Sequence, residues 1–143
     1  MINIVPFETE HLQEIMLQPA QQRFFSYFAP EYASALKQSG PCFTAISENR
    51  VLGCAGLVKQ WENRAIAWAL LSGDIGANFI KVHRAVARFL DLCELNRVEA
   101  YVDASFEQGH RWIQMLGFSQ EGYMKQFNPD GGDAMLYARV KNG

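Results

Sequence analysis

The sequence predicts an α/β fold: one mixed sheet with helices on both faces. Two observations carry that prediction. The chain has 143 residues, the size of one domain with a core of its own. Along its whole length, short strand-like runs alternate with helical patterns, with no internal repeat, low-complexity tract or linker between them. Residues 1–143 are therefore expected to form a single domain.

Composition narrows the function classes. Apolar residues are 49% and charged residues 20% of the chain, the balance of a soluble globule. Thirteen Lys+Arg stand against 15 Asp+Glu, a formal charge of −2, so the basic excess of a non-specific nucleic-acid binder is missing. Cys42, Cys54 and Cys93 form no CxxC pair, and His11, His83 and His110 sit far from them in sequence, so no metal site is expected. Reduced thiols, no secretory leader and no apolar run long enough to span a bilayer point to the cytoplasm and away from membranes.

Residues 3–7 read as a first strand, with Pro6 placing it at an edge. Thr9 is the expected N-cap of a helix with Leu12, Ile15 and Met16 on one face. Pro19 interrupts it. A second helical pattern holds Phe24, Phe25 and Phe28, and Pro30 opens a short helix through Leu36, closed by Ser39-Gly40-Pro41. Residues 42–47 and 51–59 are strands joined at Glu48-Asn49-Arg50. Trp61-Glu62-Asn63-Arg64 turns into a more apolar strand, 65–71. A loop through Asp74 leads into the clearest helix, 77–95, which buries Phe79, Val82, Val86, Phe89, Leu90 and Cys93 and exposes Lys81, Arg84, Arg88 and Asp91. Residues 97–103 alternate as a strand. A helix over 106–116 stops at Gly117. Strands over 118–127 and 134–141 flank Asn128-Pro129-Asp130-Gly131-Gly132. With two helices counted between the first two strands, the order is β-α-α-β-β-β-α-β-α-β-β.

That order, with Met115-Leu116-Gly117-Phe118 closing a helix into the next strand, resembles the GNAT superfamily of N-acetyltransferases over nearly the whole chain. The tail Glu121-Gly122-Tyr123-Met124, Pro129-Asp130-Gly131 and Leu136-Tyr137-Ala138-Arg139 looks like a bacteriophage-encoded GNAT-like branch. The resemblance implies a mostly antiparallel sheet and acetyl-CoA as co-substrate. In that family the fourth strand splays from the fifth and offers its backbone to the pantetheine arm. The following loop presents N–H groups at a helix start to the pyrophosphate. Carried over, these groups fall on Leu70, Leu71, Ser72, Gly73, Ile75, Gly76, Ala77 and Asn78, with Lys81 on the helix.

The chain departs from the family pattern in two places. No Arg or Gln leads the loop, and Asp74 puts a carboxylate beside the phosphates unless it is paired. An ordinary strand-to-helix turn capped by Asp74 or Ser72 is the competing reading. The family's Asn and Tyr positions fall on Phe106 and Ile113, which cannot donate a proton, and the fourth strand carries no acid. Positioning an amine against an activated thioester can still supply much of the rate. Asp103 and Ser105 after the fifth strand, and Tyr123, are the replacement candidates for proton transfer, with His110 and Tyr137 behind them. Each has a structural alternative: Asp103 or Ser105 as a helix cap, His110 on the surface, Tyr123 as a cross-strand partner. Phe24-Phe25-Ser26-Tyr27-Phe28 lines an acceptor pocket, docks a protein partner or fills the core.

Two functions follow. The first is acetyl transfer to an amine of a small molecule or protein. The second is a non-catalytic GNAT-like phage protein, a virion component or host-protein binder. Sheet-edge pairing in this fold admits a homodimer. A phosphate-loop NTPase is excluded, since no Gly-Lys-Ser/Thr follows the loop.

Overall fold

The computed structural model describes residues 2–15, 21 and 31–141. The expectations for Met16, Pro19, Pro30 and the segment from Phe24 to Phe28 lie outside the described residues. The strands are β1 (Asn3–Pro6), β2 (Cys42–Ser47), β3 (Arg50–Trp61), β4 (Arg64–Leu71), β5 (Arg97–Asp103), β6 (Ser119–Met124) and β7 (Ala134–Val140). The described helices are α1 (His11–Glu14), α2 (Tyr32–Ser39), α3 (Phe79–Leu92), preceded by a 3-10 turn over Gly76–Asn78, and α4 (Glu107–Met115). The seven strands lie in the order β1-β2-β3-β4-β5-β7-β6. β4–β5 is parallel, while β1–β2, β2–β3, β5–β7 and β6–β7 are antiparallel.

Two compact units make up the chain: Met1–Val58 with Trp68–Cys93, and Lys59–Ala67 with Glu94–Gly143. In the first, Phe7, Leu12, Ile15, Ala33, Leu36, Val51, Cys54 and Leu70 form one buried cluster. The alternation of β2 turns Phe43 away from that cluster and onto Phe89 of α3, with ring centroids 5.3 Å apart. Buried Val82, Val86 and Leu90 recur every four residues along α3, as the helical pattern predicts. The helix stops at Leu92, short of the expected 95, because Cys93 is already extended (ψ 130°).

Thr9 is not the cap of α1. Its hydroxyl meets the Glu10 carboxylate, and the helix start is closed from the other direction, with Glu8 N–H donating to His11 Nδ1 at 3.0 Å. His11 Nδ1 also lies 2.8 Å from the hydroxyl of fully buried Thr44. Pro6 ends β1, which is an outer strand, where its missing N–H leaves no ladder bond unmade. The β2–β3 connection is shorter than expected. Glu48 (φ 50°) and Asn49 (φ 64°) form a two-residue turn, and Arg50 already pairs with Ser47. No disulfide joins Cys42, Cys54 and Cys93, and burial pushes the Cys54 thiol up to about 11.

In the second unit, Gly117 (φ 91°) ends α4 in a left-handed conformation. Gly117 N–H donates to Gln114 O at 3.0 Å and Phe118 N–H to Ile113 O at 3.2 Å, satisfying two carbonyls of the last turn. The Arg64↔Arg97, Ala65↔Val98 and Ile66↔Glu99 register is locked by charge. Glu99, 4% exposed, accepts from Nε of both Arg64 and Arg97 at 2.6 Å, and Arg97 reaches on to Glu121. Glu121 is free to turn that way because a bulge between Gln120 and Gly122 takes it out of the β6–β7 register. The hydrogen-bonded guanidinium of Arg64, then that of Arg97, outweighs burial and holds Glu99 down at about 2.

Candidate active site

The cofactor-site candidates lie in the first unit. Leu70, Leu71 and Ser72 are buried, so what they can offer a ligand is backbone. Leu70 packs into the core cluster, and Ser72 N–H donates to Leu52 O of β3 at 2.8 Å. Backbone groups alternate along a strand, so Ala69 and Leu71 present theirs on the edge turned away from β3. There Leu71 N–H donates to Oε1 of Gln21 at 3.0 Å, and Nε2 of Gln21 donates to Ala69 O at 2.9 Å.

Beyond β4 the loop exposes Gly73, Gly76 and Ala77, with Ile75 and Asn78 half-buried. Gly76 has φ +53°, and a Cβ there would meet nothing within 4 Å. The left-handed backbone favours glycine here, and the space over it is open. Asn78 makes no side-chain cap bond to α3, and the first N–H of the helix, that of Phe79, donates to Gly76 O of the preceding 3-10 turn.

Asp74 is not a bare charge in this loop. Its carboxylate accepts from the Ser72 hydroxyl and from Arg50 at 2.8 Å, and these partners, Ser72 first, hold it below the usual carboxylate range. Arg50 therefore supplies the pairing without which Asp74 repels phosphate. Lys81, Arg84 and Arg88 are all exposed. Lys81 is in the first turn of α3, whereas Arg88 stands about 10 Å further along the axis, too far to share one phosphate with the loop. Trp68 packs its ring on Phe7 at 5.4 Å, and among the described residues its buried Nε1–H has no hydrogen-bond partner.

The proton-transfer candidates lie in the second unit, and the structure does not gather them. Asp103 Oδ1 accepts from both the N–H and the hydroxyl of Ser105 at 2.9 Å, an Asx turn leading toward α4. Tyr123 donates to Asp133 at 2.6 Å, and that bond raises the phenol above its ordinary range. Asp103 shares the Ala134 row with Met124, while Tyr123 shares the Met135 row with Val102. Adjacent rows point to opposite faces, so Asp103 and Tyr123 face opposite ways.

His110 is not a surface residue. Nδ1 lies 2.8 Å from the hydroxyl of Tyr137, itself 1% exposed, and Nε2 lies 3.0 Å from Ala104 O. Nδ1 and the Tyr137 hydroxyl tie α4 to β7, and Nε2 ties it to the segment between β5 and α4. Among the described residues no group of three His, Cys, Asp or Glu side chains could hold a metal ion, and no helix is long and apolar enough to cross a membrane.

Gln21 and Arg50 escaped the reading of the sequence. Neither stands in a motif, and each meets its partner across at least 24 residues of chain.

No protein-family model and no curated protein matches the sequence. The structure, by contrast, is shared with solved acetyltransferases. Ard1 from Thermoplasma volcanium superposes with a TM-score of 0.81 at 16% identity, covering 97% of each chain. The ribosomal-protein-S18-alanine N-acetyltransferase of Escherichia coli gives 0.75 at 15% identity, covering 98% of this chain and 94% of that one. An acetyltransferase (GNAT family) from Bacillus anthracis gives 0.68 at 17%, covering 99% and 96%. The chain has the GNAT acetyltransferase fold, a mixed, mostly antiparallel seven-stranded sheet with helices.

Proposed function

We propose that residues 1–143 work as one GNAT-like domain that transfers an acetyl group from acetyl-CoA to an amine of a small molecule or protein. The observation that carries this reading is the sequence of features along one stretch of the first unit. The β4 edge turned away from β3 makes amide hydrogen bonds outside a strand ladder, Gly76 turns left-handed under open space, and α3 begins without a side-chain cap. Backbone groups of Leu70, Leu71, Ser72, Gly73, Ile75, Gly76, Ala77 and Asn78, with the Lys81 ammonium, would hold the cofactor. Bound, it supplies an acyl group already activated as a thioester.

The chain's contribution is then to bind and orient. Arg50 neutralises Asp74, leaving the loop able to accept a polyanion. Proximity of a neutral amine carries much of the rate. Ser105, oriented by Asp103, and Tyr123 are the groups to test for moving a proton, one at a time. Solved relatives of the fold are named for acting on ribosomal proteins and on spermidine, which supports amine acceptors of both sizes. The reading places the protein in the cytoplasm, the host's if it is phage-encoded, and admits a homodimer.

Calorimetric titration with acetyl-CoA, with CoA and ADP as controls, tests the proposal. Micromolar binding that Gly76→Glu abolishes is the expected result. No binding at millimolar acetyl-CoA sinks it. The second reading, a non-catalytic phage virion component or host-protein binder, is favoured by Gln21, which already occupies the β4 edge.

A further inference from the structure

The Gln21 side chain meets β4 in a specific pattern. One amide gives its N–H to Ala69 O and takes the N–H of Leu71, the two backbone groups flanking Leu70 on one edge. A parallel neighbouring strand bonds in the same way, with the N–H and C=O of a single residue spanning positions i−1 and i+1. Gln21 thus stands in for one residue of a neighbouring strand, 48 positions before Ala69 in sequence. Any other amide that approaches Ala69 and Leu71 from this edge needs the same donor and the same acceptor. A backbone N–H supplies one proton, and two amides cannot both take it at full strength.

We propose that Gln21 competes with the cofactor for the β4 edge, so that acetyl-CoA binding requires its amide to leave Ala69 and Leu71, and this exchange sets the affinity. The inference rests on the acetyl-CoA reading above. It adds a residue that acts by occupancy rather than by contact with the cofactor. The exchange needs only a change in the Gln21 side-chain torsions, which takes both hydrogen bonds off the edge together. Two neutral, part-buried hydrogen bonds are weak enough to exchange and strong enough to shift an equilibrium by about tenfold.

The test uses the full chain and two variants. Gln21→Ala removes the side chain, and Gln21→Met keeps its length and volume while deleting both hydrogen bonds. Amide hydrogen exchange at Leu71 is followed by NMR, and acetyl-CoA affinity by calorimetry. The expected result is faster Leu71 exchange in both variants and about tenfold tighter binding than wild type. Unchanged Leu71 exchange overturns the proposal directly. Equal affinity in all three proteins overturns it while the acetyl-CoA reading stands. Weaker binding in the variants also overturns it, and makes Gln21 a contact of the cofactor. No binding by any of the three sinks both the acetyl-CoA reading and the proposal built on it.

Discussion

In the unit built on β5, β6 and β7, Glu99 is 4% exposed and held by two guanidiniums at 2.6 Å, with Arg97 extending the chain of charges to Glu121. In the other unit, the β4 edge is held by one neutral amide, and the Arg50–Asp74 pair is more than half exposed. Both arrangements satisfy polar groups on strands. They differ in what breaking them costs. A buried charge that loses its partner keeps its full desolvation penalty, whereas a part-buried amide that turns away exchanges two neutral hydrogen-bond partners for water. The first arrangement fixes a strand register, and the second lets a strand edge exchange partners, as the proposed cofactor edge must.

The largest test of this contrast is Glu99→Gln. It leaves Arg64 and Arg97 facing a neutral amide and is expected to cost about 3 kcal/mol of stability in urea denaturation at pH 7. A loss under 1 kcal/mol would show that the charges do not lock the register. Acid titration gives the same test another form. Because Glu99 is held at about 2, below its ordinary 4.5, its stabilisation is complete above pH 4.5 and is lost as pH falls through 2. The wild-type denaturation midpoint should drop over that window, and Glu99→Gln should flatten the drop.

In the exchangeable region the expected effects are smaller. Gly76→Ala meets no atom, so its cost comes from the left-handed backbone alone, about 1 kcal/mol, measured by thermal unfolding. Arg50→Ala should weaken acetyl-CoA binding about threefold at low salt, by unpairing Asp74, and the effect should fade as salt rises. Trp68→Phe removes a buried donor that has no partner among the described residues. It should shift stability by less than about 1 kcal/mol in either direction, lost packing offsetting the removed N–H. A large loss would reveal a partner for that N–H.

The order of strands and helices was legible along the chain because it depends on nearest neighbours. Period two over 97–103, period 3.6 through Val82, Val86 and Leu90, and the glycine after Leu116 each act within a few residues. Gly76 was placed by the resemblance to the family's loop, and its left-handed turn was seen only in the structure. Shorter-range errors came from competition among caps: Thr9 lost to the His11 side chain, and Asp103 spent its carboxylate on Ser105 rather than on a helix. His110 was misread because its helical position says nothing about Tyr137, 27 residues away.

What tertiary structure alone decided is the pairing of polar groups. Gln21 with Ala69 and Leu71, Arg50 with Asp74, and Arg64 with Glu99 are separated by 48, 50, 24 and 35 residues. Hydrophobic burial follows a periodic pattern because a whole face of an element must be covered. A hydrogen bond needs one donor and one acceptor at one distance, and nothing in the neighbouring sequence repeats to announce it. The sequence determined which elements form and in what order. The fold decided which charge Asp74 meets and which amide lies on β4, because those partners come together only once the strands are laid side by side.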